Sequence, residues 1–319
     1  MSAHPVNSAV SCLIRSPFDQ TALSKTLAEC RARLGTRPDL VVAFVSSDLR
    51  HRLDEIVESL RIDGEAARIF GGSCEGMIGV GTEAENTSGV SLAFLSLPGT
   101  ALELYRSEVE LARSRRLDLD PTGFLALSNP LEAGLAGPVR WLNTHFPGVP
   151  AAGGFVSGGP EESDLFLFTE EGKSASANLV LGMVGGVKLV PLVAQSCRPI
   201  GEPLVITRSR SNVVQAIAGK KPYKVLEETF TSLEDSLRHA AEGNIFAGLA
   251  VREEVEDYAT GDFVIRHIVG TDLSGGKLVL TSPTRVGQMM QFQLRDAVAA
   301  KRDLEERCDR LVEEHGKPF

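Results

Sequence analysis

Leu40-Val41-Val42-Ala43-Phe44-Val45, running into Ser46-Ser47-Asp48, decides the fold, because its pattern returns at Phe124-Leu125-Ala126-Leu127, running into Asn129-Pro130. A short continuous apolar run bounded by cap and turn residues is the signature of a strand covered on both faces. Asp48 then caps a helix carrying Leu49, Leu53, Ile56, Val57 and Leu60, and Asn129-Pro130 opens one carrying Leu135, Val139, Leu142 and Phe146. Each helix leads into a short strand and then glycines. The first series is Gly71-Gly72-Ser73-Cys74-Glu75-Gly76, after residues 67–70; the second is Gly153-Gly154-Phe155-Val156-Ser157-Gly158-Gly159, after residues 149–152. Strands at 89–95, 164–168 and 178–184 complete two units of like order. The repeat predicts a pseudo-symmetric pair with glycine loops at corresponding ends of their sheets.

Upstream, Asp19 caps a helix whose apolar positions Leu23, Leu27, Cys30 and Leu34 share one face. The character changes from about Val187: residues 196–207 are extended and Pro-punctuated, and 212–218 is expected as a short helix stopped by Gly219. Pro222 starts a helix through Val225, Leu226, Phe230 and Leu233. Strands at 245–251, 263–269 and 277–280 follow, with Gly275-Gly276 as a hairpin turn, and then a long helix over 288–314 striped by Leu294, Val298, Leu304, Cys308 and Leu311. The expected class is mixed α/β (α+β): duplicated strand–helix–strand units forming mixed sheets flanked by helices, followed by a second α/β half. The corresponding domains are 1–190 and 191–319.

Composition narrows the function. Of 319 residues, 43% are hydrophobic and 24% charged, which suits a folded chain with a sizeable core. The formal charge of −9 repels phosphate backbones and anionic lipid, so neither nucleic acid nor a membrane is the expected partner. No apolar run spans a bilayer and residues 1–17 lack signal-peptide order, so a cytoplasmic location is expected. The five cysteines, Cys12, Cys30, Cys74, Cys197 and Cys308, are odd in number with no CxxC pair, against a disulfide framework or a zinc knuckle. Phosphate-loop, dinucleotide and metal-ligand spacings are also missing, and no cofactor is expected.

The glycines carry the candidate chemistry. Lacking Cβ, Gly71, Gly72, Gly153 and Gly154, with Ser73 and Ser157 beside them, can bring backbone N–H groups close to a polar small molecule; they can equally serve tight packing. Cys74 lies in the first glycine series, and a cysteine-dependent enzyme centred on it is the rival reading, although no cation or histidine adjoins it to lower its pKa. Arg266 can clamp a ligand carboxylate or orient an element through an ion pair with Asp262 or Asp296. A protein-interaction scaffold is the third reading.

Four segments, in order, resemble the FIST domain family. They are Phe70-Gly71-Gly72-Ser73; Pro150-Ala151-Ala152-Gly153-Gly154-Phe155-Val156-Ser157-Gly158-Gly159; Gly201-Glu202-Pro203-Leu204-Val205-Ile206-Thr207 leading to Ala218-Gly219-Lys220-Lys221-Pro222; and Gly261-Asp262-Phe263-Val264-Ile265-Arg266-His267 followed by Val286-Gly287-Gln288-Met289-Met290. The resemblance implies FIST N and FIST C halves, a sensory role for small, amino-acid-like ligands, a signalling protein as partner, and no catalytic residue. Two departures stand out. His267 occupies a position where family members carry Asn. The chain also stops at Lys317-Pro318-Phe319, where a further strand and a cysteine-containing glycine loop are expected, so the FIST C half looks truncated.

Overall fold

The computed structural model describes residues 6–15, 19–79, 81–115, 120–133, 137–252, 258, 262–272 and 274–317. Leu135, Gly261, the terminal Pro318-Phe319 and parts of the opening stretch, residues 1–5 and 16–18, lie outside them. The chain divides into two compact units, one ending at Pro191 and the other beginning at Leu192.

The first half of the first unit runs β1 (Ser8–Arg15), α1 (Gln20–Leu34), β2 (Leu40–Ser46), α2 (Leu53–Ile62), β3 (Ile69–Cys74), a hairpin of β4 (Gly76–Gly79) and β5 (Thr82–Glu85), and β6 (Gly89–Ser96). Its second half runs β7 (Thr100–Tyr105), α3 (Glu108–Arg115), β8 (Pro121–Ser128), α4 (Gly137–His145), β9 (Ala151–Phe155), β10 (Leu167–Thr169), β11 (Gly172–Lys173) and β12 (Asn178–Gly185). The two sheets are ordered β1-β6-β2-β3-β10-β11 and β7-β12-β8-β9. In each half the central pair, β2 with β3 or β8 with β9, is parallel, and the strand on the far side of β2 or β8 is antiparallel. The duplication expected from the sequence is therefore a duplication of topology.

Local chemistry accounts for the elements. The Asp19 carboxylate accepts the Thr21 N–H (2.9 Å) and Gly35, at φ 76°, ends α1, while Leu23, Leu27 and Cys30 are buried at intervals of four and three. Each such burial contributes roughly 1.5–3 kcal/mol for a leucine-sized side chain. Alternation in β2 sends Val41, Ala43 and Val45 into the α1/α2 core and Val42 and Phe44 to the opposite face, where Leu127 and Leu181 of the second sheet meet them. The outer face of that second sheet packs Phe124 and Val180 on Leu111 of α3 and Leu142 of α4. The unit is thus layered helix, sheet, sheet, helix. One strand breaks the symmetry: β10, from the second half, adds antiparallel to β3 of the first.

The second unit contains β13 (Cys197–Arg210), β14 (Val213–Ile217), α5 (Pro222–Thr231), α6 (Asp235–Ala241), β15 (Ile245–Ala250), β16 (Phe263–Arg266), β17 (Ile268–Asp272), β18 (Lys277–Leu280), β19 (Met289–Arg295) and α7 (Ala297–His315). Its sheet is ordered β16-β15-β19-β13-β14-β18-β17, with Val225 of α5 packed into its core beside Val214 and Leu278.

Three local expectations are corrected. Where a helix was expected over 212–218, Val213–Ile217 form strand β14, because Val213 and Val214 pair with β18. The helix expected over 288–314 starts only at Ala297, where Asp296 accepts the Val298 N–H (2.9 Å); the preceding residues form β19, wedged between β13 and β15. The glycine pairs lie within β3 and β9 rather than on loops beyond them. That placement follows from the close approach of the neighbouring parallel strand: a Cβ on Gly71 would stand 2.7 Å from the Ala43 carbonyl oxygen.

Candidate functional site

β3 ends with Ser73 and Cys74, still paired with Val45 and Ser46 of β2, and both residues are buried. Ser73 is held on two sides by Phe166, donating its N–H to that carbonyl (2.9 Å) and accepting the Phe166 N–H at its hydroxyl (3.1 Å). The second half reaches the same spot through Ser157, which follows β9: its N–H donates to the Ser73 carbonyl (3.3 Å) and its hydroxyl accepts the Glu75 N–H (3.0 Å). The two repeats are stitched together here.

Beside this seam is a cavity of about 380 Å³. It is a half-open pocket lined by Phe44 and Ser91 of the sheet, Met77 and Ile78 of the β4–β5 hairpin, and Cys74 and Phe155. The hairpin is positioned by packing: Met77 sits near Gly89, Leu13 takes the space beside Gly79, and Ser91 donates its hydroxyl to the Ile78 carbonyl (2.7 Å). Among the described residues no lining side chain is charged. Burial, and then the nearby Asp48 carboxylate, push the Cys74 thiol up to about 11. Such a thiol stays protonated at neutral pH and lacks the thiolate that nucleophilic catalysis needs. The arrangement can hold a small molecule against the sheet face and offer it hydroxyls and a thiol.

The other expected site residues are dispersed. Gly71 and Gly72 make room for packing, since a Cβ on either would stand 2.3 Å from the Phe168 ring or 2.4 Å from Val156. Gly153 and Gly154 line a separate groove of about 320 Å³ between β9 and α4, and Phe155 borders both this groove and the first cavity. Arg266 lies in the second unit on β16, its guanidinium donating to the Ser282 hydroxyl (3.0 Å) and the Ile265 carbonyl (2.9 Å). Asp296 pairs with Arg198 (3.4 Å) and Asp262 with Arg252, while the Arg295 guanidinium lies 4.6 Å from the Phe246 ring centroid.

Sequence reasoning missed Phe44, Met77, Ser91 and Phe155. The signal lay in the alternation of residues 89–95, which sets small Ser91 and Ala93 against large Leu92 and Phe94 and so leaves one face of β6 hollow. Among the described residues no cluster of His, Cys, Asp and Glu could hold a metal ion, and no helix is long and apolar enough to cross a membrane.

The first unit is a duplicated α/β unit whose two halves both contribute residues to one pocket. The chain belongs to the FIST N domain family, whose model matches residues 39–220, more than half of the 319. FIST domains are sensory, signal-transduction modules. The chain is also similar to uncharacterized protein MT0656 of Mycobacterium tuberculosis (strain CDC 1551 / Oshkosh), 28% identical over 318 residues that cover 94% of this chain and 79% of the relative. Uncharacterized protein Mb0898c of Mycobacterium bovis is 36% identical over 166 residues, 51% of this chain and 42% of the relative.

Proposed function

We propose that this FIST-family chain senses a small, uncharged molecule held in the cavity of about 380 Å³ beside Cys74 and Ser157. The observation that carries the reading is that both repeats and the β4–β5 hairpin wall one space of ligand size whose lining has hydroxyls, a thiol and apolar surface but no charge. An amino-acid-like zwitterion finds no countercharge among those side chains, so a neutral ligand is the better match. Gly71 and Gly72 support the site by letting Val156 and Phe168 pack against β3. Occupancy is signalled if the ligand binds one hairpin position better than another. The region 191–319 is proposed as the FIST C-type part, with a signalling protein as partner and the cytoplasm as location.

The test is thermal-shift screening of the intact chain against neutral small molecules. Ligand at 100 times its dissociation constant adds about 2.7 kcal/mol, which raises the melting temperature by roughly 5–10 °C for a unit of this size. Ala93→Met, which projects into the cavity from β6, should abolish the shift; Gly154→Ala, in the other groove, should keep it. A shift that survives Ala93→Met, or a screen in which only charged compounds respond, overturns the reading.

A further inference from the structure

Two of the five cysteines meet in the fold. Strand β1 ends the first sheet, paired with β6 along one side. Its side chains alternate, so Val10, Cys12 and Ile14 face the core under α1, while Ser11 and Leu13 face the pocket and its hairpin. On α1, the intervals that bury Leu23, Leu27 and Cys30 turn Cys30 into the same core, against which Cys12 packs. The two thiols are in hydrogen-bond contact, with Cys12 donating to the Cys30 sulfur. The other three cysteines lie elsewhere: Cys74 in the pocket, Cys197 on β13 and Cys308 exposed on α7.

The surroundings suit the pair to oxidation. The hydrogen bond from Cys12 lowers the Cys30 thiol below its ordinary value, with burial opposing it and the Arg33 guanidinium adding to it, whereas the same bond and burial push Cys12 up. The pair thus ionises once more readily than a lone buried thiol, and the thiolate is the form that oxidants attack. Cys30 is 1% exposed, but Cys12 is only partly buried, so the pair is reached from the β1 side. Sulfurs already in contact need only side-chain rotation to bond.

We propose that Cys12 and Cys30 form a reversible disulfide, with hydrogen peroxide as the oxidant, and that this bond braces the wall of the pocket. One sulfur, as thiolate, attacks a peroxide oxygen and the O–O bond breaks, giving a sulfenic acid and a hydroxide that takes up the proton the thiol gave. The other sulfur then attacks the sulfenic sulfur: the S–S bond forms, the S–O bond breaks and a second water leaves. Two thiols have lost two hydrogens and one peroxide has become two waters; an added dithiol reverses the bond by exchange. The disulfide fastens the middle of an edge strand to α1. Through the opposite face of β1 it reaches the pocket, since Ser11 lines it and Leu13 fills the space beside Gly79 of the β4–β5 hairpin. Only the consequence for a ligand rests on the sensing role proposed above.

Peroxide treatment of the full chain in a Cys308→Ser background, followed by alkylation of free thiols, trypsin and mass spectrometry, tests the bond. Cleavage after Arg15, Lys25 and Arg31 should release residues 1–15 joined to residues 26–31, and the joined species should disappear with dithiothreitol and in Cys12→Ser. Closing the 12–30 loop should raise the melting temperature of the first unit by roughly 6–12 °C. Amide exchange at Ser8–Arg15 and Gly76–Gly79 should slow about threefold or more. No joined peptide at a peroxide dose that oxidises exposed Cys308 of the unaltered chain would overturn the proposal. So would a joined peptide that leaves exchange at Gly76–Gly79 unchanged. Failure of neutral molecules to bind defeats the pocket reading alone, because the peptide and the exchange are measured without ligand.

Discussion

Replacing Gly153 by alanine should cost far more than the same change at its neighbour Gly154. Gly153 has φ 149°, which L residues rarely adopt, and an added Cβ would stand 1.8 Å from the Ala126 carbonyl oxygen and 2.7 Å from its carbon. The obstacle is backbone, so no rotamer change relieves it. β9 must retreat from β8 by more than about 1 Å to restore ordinary contact, stretching the parallel ladder that pairs Ala151–Phe155 with Phe124–Ser128. Strained backbone costs about 1–3 kcal/mol and overpacking a similar amount, so about 3 kcal/mol or more is expected. For a unit near 200 residues this lowers the melting temperature by roughly 6–12 °C. At Gly154 nothing lies within 4 Å of the added atom, and the loss of unfolded-state freedom should leave stability unchanged or raise it by up to about 1 kcal/mol. Calorimetry on both variants at low chain concentration, following the first unit's transition, gives the comparison. Equal losses at the two positions, or a silent Gly153→Ala, would refute the assignment of these glycines to different physical roles.

Alkylation of Cys74 by iodoacetamide in a Cys308→Ser background should be slow at pH 8 and accelerate only toward pH 11, because burial and the Asp48 carboxylate raise the thiol to about 11. A midpoint at or below the ordinary value of about 8.5 would revive the nucleophile reading. The Glu170 carboxyl should show the opposite linkage. Burial pushes it up, but hydrogen bonds from the Ile69 N–H (3.1 Å), its own backbone and Arg68 outweigh that and leave it below the usual carboxylate value. Its contribution is therefore complete above the unfolded value and lost as pH falls through the folded one. Glu170→Gln, whose amide oxygen can still accept the Ile69 N–H, should cost about 1 kcal/mol at pH 7 through loss of the carboxylate charge that strengthens that bond and pairs with half-exposed Arg68, and the gap from the native chain should close below about pH 4 in urea titrations. A gap that persists in acid would contradict the assignment.

Much of the first unit was legible because its signals are local and repeat. The continuous runs at Leu40–Ser46 and Pro121–Ser128, the α1 face of Leu23, Leu27 and Cys30, and the glycine pairs each declare themselves within a few residues. What was lost depends on distant partners. Apart from Phe292, Met289–Arg295 is made of Met, Gln, Leu and Arg, all good helix formers, yet Met290, Phe292 and Leu294 alternate inward once β13 and β15 flank them. Of the candidates singled out from the sequence, Ser73, Cys74 and Ser157 border one pocket. Its hairpin cover was not, because Met77 reaches the cavity only through packing on Gly89 and its neighbours. Nor could spacing tell that Gly72 is filled by Val156 while Gly154 is open, since that difference arises from where the chain goes after β9.

That crossing of β10 ties the order of folding to the order of synthesis. While a ribosome is making the chain, β3 has no neighbour on its outer side until Thr169 has emerged. At usual elongation rates the gap after Cys74 lasts roughly 5–20 seconds, long compared with hairpin formation. A nascent chain in that interval offers an open template to any passing strand. The two repeats are therefore not separable modules: cutting between them strips the first of its closing strand, and chaperone occupancy should be greatest while that strand is still unmade.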